Sequence, residues 1–368
     1  MKENLVTIVV LPNSKAHQLK LQLEAEQIEC DLEEINLIEG ATSSTVRVKI
    51  PQSQIKKALP VVEDLLGVKP FVIQQSEDKK DKHILVPVDF SESSEKATKL
   101  AINIATHLNM KLIFFHCYIN PVVYSVPFSD IYAYDSSLLV RVEYTEENAH
   151  TNFRKFISKI SKQVGKENWK KVSPEYIIKP GYPEEDIVAF AHKNQSQLIV
   201  MGSGKKGGYE TLGSVVTDIM YNAKVPLLVV PEDAQEQILT DISSVLYATN
   251  FDEKDFVVLN KVMTFLKPFK TRLICAHVGL PKGDNWDIAR LEGMKDILYK
   301  KYNNSEFECN LITGDNPIES LDKFIAEKKV SLLILTTHKR NMITRLFNPS
   351  FSKKMMFHTN TPLLIFHI

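Results

Sequence analysis

The residue types best suited to chemistry fall in one run, Met201-Gly-Ser-Gly-Lys-Lys-Gly-Gly-Tyr-Glu-Thr-Leu-Gly-Ser-Val-Val216. Glycines let backbone amides turn inward and approach an anion without side-chain obstruction. A helix expected over 215–222 adds the free amides of its first turn, and Ser214 adds a hydroxyl donor. Lys205 and Lys206 supply positive charge. The combination suits a triphosphate. It is not a Walker loop, which needs four residues between its glycine and a Gly-Lys-Ser/Thr end, and the dinucleotide fingerprint belongs after a first strand.

Other chemistry-bearing residues are sparser. Asp89 closes the run Ile84-Leu-Val-Pro-Val-Asp89-Phe90, where it can touch a ligand or, with Ser91 or Ser93, brace the start of a helix. His116 and His277 stand at equivalent strand ends with no carboxylate or cysteine at ligand spacing, which favours structural imidazoles over a metal site. Glu184 and Glu185 fit the first turn of a helix, favoured by its dipole. Ser214 lacks a His or Asp partner. A hydrolase needs a metal-holding carboxylate and a water-orienting group, and Asp89 is the only candidate. The expectation is a binding protein, with slow ATP hydrolysis as a weaker third reading.

These residues are positioned by elements that occur twice. Ile84–Phe90, a helical stretch and Lys111-Leu-Ile-Phe-Phe-His116 are echoed by Val245-Leu-Tyr-Ala-Thr-Asn250-Phe251, a helical stretch and Arg272-Leu-Ile-Cys-Ala-His277. Asp89 to Asn250 and His116 to His277 are both 161 residues. Gly181-Tyr-Pro-Glu-Glu-Asp matches Gly314-Asp-Asn-Pro-Ile-Glu, Gln197–Gly202 matches Ser331–Thr336, and Val225–Val230 matches Thr361–Phe366. Here the offset from Gly181 to Gly314 falls to 133, so the first copy carries about 28 extra residues, including the aromatic Tyr124, Phe128, Tyr132 and Tyr134. That segment reads equally as a lid or partner surface and as a long variable connection.

Continuous apolar runs such as Leu198–Met201 suit strands buried on both faces, and alternation with amphipathic helices implies two doubly wound parallel sheets of α/β type. Ligands in such sheets sit beyond the carboxyl ends of the strands, where Asp89 and Gly202 fall. The first 75 residues read as β-α-β-β-α-β, a small α+β ferredoxin-like domain with strands near 6–11, 30–37, 45–50 and 70–74. The expected domains are 1–75, 83–232 and 243–368, with linkers at 76–82 and 232–237.

With Val-Pro-Val-Asp89 and Val-Pro-Leu-Leu-Val-Val230, the glycine run resembles the universal stress protein signature Gly-x2-Gly-x9-Gly-Ser/Thr, placed after the fourth strand. The resemblance implies the adenine nucleotide alpha hydrolase-like version of the fold, with ATP, alone or with Mg, as the ligand. By the same resemblance Pro87, Val88 and Asp89 hold the adenosine end, while Met201, Gly202, Gly213, Ser214 and Val215 contact ribose and phosphates. The loop is two residues shorter than the signature, leaving Gly204, Lys205 or Gly207 for the second-glycine role. The second copy keeps the signature's length but holds Thr336, Lys339 and Pro349 at its glycine positions and Asn250 for the aspartate. A degenerate partner is the expected role, with Lys339, Arg340 and Arg345 as a weaker candidate for another anion. As resemblance to the family's dimers implies, the final strands 226–230 and 362–366 are expected edges for pairing the two copies within one chain, or two chains in a homodimer. The N-terminal helix loosely resembles small bacterial signal-transducing domains. The alternative to nucleotide binding is a signalling or scaffold protein acting through protein partners.

Composition narrows the partners. Lys plus Arg and Asp plus Glu both number 45, so no basic excess argues for nucleic acid. Four scattered cysteines without a CxxC pair fit a reducing compartment. No apolar run reaches the roughly 18–20 residues of a membrane span, so a cytoplasmic protein is expected.

Overall fold

The computed structural model describes residues 5–35, 45–65, 82–119, 136–204, 214–249, 255–279, 291–296, 298–299, 307–337 and 359–367. In chain order the elements used below are β1 (Leu5–Pro12), α1 (Asn13–Ala25), β2 (Asp31–Ile35), β3 (Thr45–Pro51), α2 (Ile55–Leu65), β4 (His83–Pro87), α3 (Glu92–Leu108), β5 (Lys111–Tyr118), α4 (Ser136–Val164), α5 (Lys166–Lys171), β6 (Glu175–Pro180), α6 (Pro183–Lys193), β7 (Leu198–Gly202), α7 (Ser214–Asn222), β8 (Leu227–Val230), α8 (Glu236–Thr240), β9 (Ser244–Ala248), α9 (Asp255–Leu266), β10 (Arg272–Gly279), β11 (Phe307–Thr313), α10 (Pro317–Glu327), β12 (Leu332–Thr337) and β13 (Leu363–His367). They fall into two compact units, one of 75–241 with 356–367 and one of 1–74, 242–355 and 368. Both are mixed α/β, and most of the sheet is parallel.

The unit containing 75–241 carries the strand order β13-β8-β7-β4-β5-β6. β4 lies at its centre because Ile84, Leu85 and Val86 are apolar on both faces and fully buried. The chain leaves β4 to one side for β5 and β6, then to the other for β7 and β8, so strand order reverses beside β4. All these pairings are parallel except β8 with β13, which run antiparallel with Leu228 opposite Leu364. The last strand therefore departs from the parallel pattern.

α3 covers this sheet with buried Ala97, Leu100, Ala101, Ile104 and Ala105, a spacing that lays one stripe on the strands. Ser91 caps it by accepting from the Ser94 amide at 3.2 Å, Glu92 and Glu95 sit in its first turn, and Asn109 ends it in a left-handed conformation. Part of the stretch expected as a linker near 232–237 is instead bound to α3. Lys96 Nζ donates to the Ala234 carbonyl at 2.9 Å, Asn103 donates to that of Leu239 at 3.1 Å, and α8 begins at Glu236.

In the other unit β1, β3 and β2 form an antiparallel three-stranded sheet in that order. α1 covers it through Ala16, Leu19 and Leu23. The expected fourth strand near 70–74, and the linker at 76–81, lie outside the described residues. α2 and β1 pack against α9, so the N-terminal sheet shares a core with the later segment. That later segment has the parallel order β11-β10-β9-β12. Its registers follow the offsets read from the sequence. Ile84 faces Leu198 and Val245 faces Leu332; His83 faces Lys111 and Ser244 faces Arg272; Ile113 faces Glu175 and Ile274 faces Glu308.

Among the described residues no helix is long and apolar enough to cross a membrane.

Candidate functional site

A cavity of about 170 Å³ opens at the carboxyl ends of β4, β5 and β7, where the strand order reverses. Pro87, Val88 and Asp89 form one wall, His116 and Cys117 another, and Met201, Gly202, Ser203 and Gly204 a third. The first turn of α7 closes it with Val215 and Val216, aiming a helix N-terminus at the space. Seven of the ten residues expected from the sequence therefore line one cavity: Pro87, Val88, Asp89, Met201, Gly202, Gly204 and Val215. Lys205 and Gly213 lie outside the described residues, and Ser214 is described only as the first residue of α7. Complete pockets for drug-sized ligands occupy about 300–1,000 Å³, so the described walls suit one end of a nucleotide.

Two glycines here answer to steric demands. A Cβ on Gly202 would lie 2.5 Å from Ser93 Oγ and 2.6 Å from the Ser93 carbonyl carbon, because β7 ends hard against the start of α3. Gly204 has φ +82°, and its amide donates to Ser93 Oγ at 3.2 Å. Ser93 thus ties the glycine loop to α3 while buried itself. The sequence marks Ser93 only as a helix-cap residue; its signal is a small hydroxyl two positions after the cap.

Asp89 braces the start of α3 and also lines the cavity. Its Oδ1 accepts from the Ser91 amide at 3.0 Å and the Ser91 hydroxyl at 2.6 Å, bracing the turn into α3. Oδ2 has no hydrogen-bond partner among the described residues, and the side chain is exposed on the cavity wall. Phe90 follows with φ +66°, a strained value for a bulky side chain, and its ring packs 4.3 Å from that of His116. Strain at the lip of a cavity is the kind retained where a site over-determines its backbone.

His116 Nδ1 sits 2.8 Å from the Val88 carbonyl, which can only accept, so Nδ1 carries the proton and neutral Nε2 is left as an acceptor. Burial lowers its pKa, against the opposing pull of the Val88 carbonyl and the Asp89 charge. The neighbouring Cys117 thiol is pushed up to about 12, chiefly by burial, and stays protonated. Asp89 is the only carboxylate among the lining residues. Elsewhere, Asp186 in the first turn of α6 accepts from Lys179 and from the Tyr182 amide, which fixes the Gly181 turn beside Glu184 and Glu185. Among the described residues no three His, Cys, Asp or Glu side chains converge as metal ligands.

The corresponding strand ends of the later segment are built differently. Thr249 follows β9 and Thr336 lies in β12, at the offsets of Val88 and Gly202. Both hydroxyls donate to the fully buried Asp255, at 2.8 and 3.0 Å, and Tyr247 donates to the same carboxylate at 3.0 Å. His277 Nδ1 meets the Thr249 carbonyl at 2.7 Å, repeating the geometry of His116. Two structural imidazoles are thereby accounted for. Asp255 was missed from sequence, although Tyr247 and Thr249 put two hydroxyls at alternate positions around the end of β9. Asn250, Lys339, Arg340, Arg345 and Pro349 lie outside the described residues.

Residues 81–231 match the universal stress protein family. A universal stress protein of Methanocaldococcus jannaschii is 33% identical over 178 residues, covering 47% of this chain and 96% of its own. Among solved structures, a universal stress protein from Archaeoglobus fulgidus aligns over 78% of this chain and 99% of its own, with TM-score 0.57 and 17% identity. A Pseudomonas aeruginosa protein of unknown function aligns over 78% and 93%, with TM-score 0.51 and 10% identity. The matched region contains both the glycine run and Asp89, and the chain belongs to the universal stress protein family.

Proposed function

We propose that residues 83–232 bind an adenine nucleotide, with ATP and Mg²⁺ as the first candidates, and that the protein acts as a non-enzymatic nucleotide-responsive component of a stress response. The observation that carries this reading is the cavity at the reversal of strand order, lined by seven of the ten residues that the sequence points to. Val215 and Val216 bring free amides for phosphate, and Pro87 and Val88 bring an apolar wall for a base. In this reading 243–368 is a degenerate second copy serving as an intramolecular partner. Matching registers in β4–β7 and β9–β12, and the antiparallel contact of β8 with β13, support it. Residues 1–75 are read as a ferredoxin-like domain, supported by the antiparallel order β1-β3-β2.

The test is calorimetric titration of the full chain with ATP and Mg²⁺, repeated with Asp89→Ala. Saturable binding weakened at least tenfold in the variant supports the proposal. Absence of heat with any adenine nucleotide, together with no thermal shift, sinks it in favour of a scaffold role.

A further inference from the structure

β10 and β11 run parallel, and Cys275 and Cys309 are direct partners in their register. Partners in register project to the same face, and neighbouring strands lie about 4.7–4.9 Å apart. That separation falls inside the roughly 4.4–6.8 Å between Cα atoms that a disulfide spans. Same-face Cβ atoms on unshifted strands stand about as far apart as the strands, beyond the roughly 3.5–4.5 Å a disulfide accepts, so closure asks for an inward movement. β11 can supply it, because among the described residues it pairs with β10 alone. Both thiols are free.

The two sulfurs are not equivalent. Cys275 is fully buried, whereas Cys309 is half-buried and reachable by a small oxidant. Their mutual contact pulls the Cys309 thiol down and pushes the Cys275 thiol well up. Burial opposes the fall at Cys309 and adds to the rise at Cys275. The Lys295 charge also favours the Cys309 thiolate, against smaller opposition from Glu292 and Glu308. A thiolate-forming, accessible cysteine beside a buried second thiol has the arrangement of an attacking and a resolving pair. Cys30 and Cys117 lack such a neighbour, and both are pushed up by burial, to about 11 and about 12.

We propose that Cys309 and Cys275 form a peroxide-responsive dithiol that closes reversibly into a disulfide between β11 and β10. The Cys309 thiolate attacks one peroxide oxygen; an S–O bond forms, the O–O bond breaks, and the leaving hydroxide takes up a proton as water. The Cys275 sulfur then attacks the Cys309 sulfenic sulfur; the S–S bond forms, the S–O bond breaks, and the hydroxide leaves as water with the Cys275 proton. Two thiols lose two electrons, and one peroxide becomes two waters. A reducing dithiol restores the pair by exchange. The pair belongs to the unit of 1–74, 242–355 and 368, and the proposal does not rest on nucleotide binding.

The experiment treats the full-length native chain with hydrogen peroxide, removes the excess, alkylates under denaturing conditions and determines mass and peptide linkage. Alkylated thiols are expected to fall from four to two. A Cys275–Cys309 linked peptide should appear and vanish with dithiothreitol. Cys309→Ser should keep its three remaining thiols alkylatable, and Cys275→Ser, which keeps a hydroxyl donor beside Cys309, should leave a sulfenic acid on Cys309 that dimedone traps. Four alkylatable thiols after peroxide, a linkage between other cysteines, or no dimedone adduct in a folded Cys275→Ser chain overturns the proposal. The linked-peptide measurement on the unsubstituted chain decides the matter even where a variant fails to fold.

Discussion

Removing the Asp255 carboxylate should destabilise the later segment without touching the cavity beside Asp89. The side chain is fully buried and receives hydroxyl donors from Thr249 at 2.8 Å and from Tyr247 and Thr336 at 3.0 Å each. A lost hydrogen bond costs about 0.5–1.5 kcal/mol net, rising to about 1–3 kcal/mol where a buried group loses its acceptor. Three bonds to one side chain do not add simply, because the hydroxyls reorient together. Asp255→Ala should therefore cost about 3–5 kcal/mol. For a unit of 150–250 residues each kcal/mol lowers the melting temperature by about 2–4 °C, so a fall of about 6–20 °C is expected by calorimetry. Asp255→Asn keeps one acceptor oxygen and should lie between the two. The ATP-dependent thermal shift should persist in both variants. A melting point within about 1 °C of the parent in Asp255→Ala would refute the reasoning, since the network would then contribute nothing.

Calorimetric titration should give one nucleotide per chain, because Thr249 and Thr336 are tied to Asp255 where Val88 and Gly202 wall an open cavity; two per chain would contradict this. Gly204→Ala should lose about 1–2 kcal/mol in denaturant unfolding from its left-handed backbone. Gly202→Ala should lose more, since its Cβ meets backbone atoms of Ser93 and Ser94 within 2.7 Å and side-chain rotation cannot relieve that. The folded-state pKa of His116 lies below its unfolded value, so the unfolded chain binds more protons on acidification. Its contribution is complete above the unfolded value near 6.5 and is lost as pH falls through that value, until the folded pKa is reached. The corresponding slope in melting temperature should flatten in His116→Asn.

Much of this was legible in the residues because local and long-range signals agreed. Ile84–Val86 and Leu198–Met201 are apolar on both faces, so their central place in a parallel sheet follows from burial alone. The place of the cavity follows from Asp89, just past the end of β4, and Gly202, at the end of β7. The reason for Gly202 was less accessible. It owes its identity to the approach of α3, a tertiary contact that the sequence does not encode locally. The pinning of 232–240 to α3 was hidden for the same reason: Glu232–Gln237 is polar enough for a linker, but it is held by Lys96 and Asn103 more than a hundred residues away. The packing of α2 and β1 against α9 was equally invisible, since apolar periodicity tells which face is buried and not which partner buries it.

The contrast between the two sets of strand ends reduces to a linked exchange. At one, Gly202 without a Cβ lets β7 abut the start of α3, and Ser93 and Ser94 are small enough to allow it. At the other, Thr336 brings the Cβ that this close approach forbids, and Asp255 stands at the offset of Ser94 to receive its hydroxyl. Neither change is comfortable alone. Threonine at Gly202 meets backbone within 3 Å, and an aspartate at Ser94 is a buried carboxylate deprived of Thr249, Tyr247 and Thr336 as donors. The carboxylate also places an acceptor at the start of α9, the position where helix amides favour an anion. The two sets of strand ends thus differ by one linked exchange: glycine against small hydroxyls at the first, threonine against the chain's own carboxylate at the second.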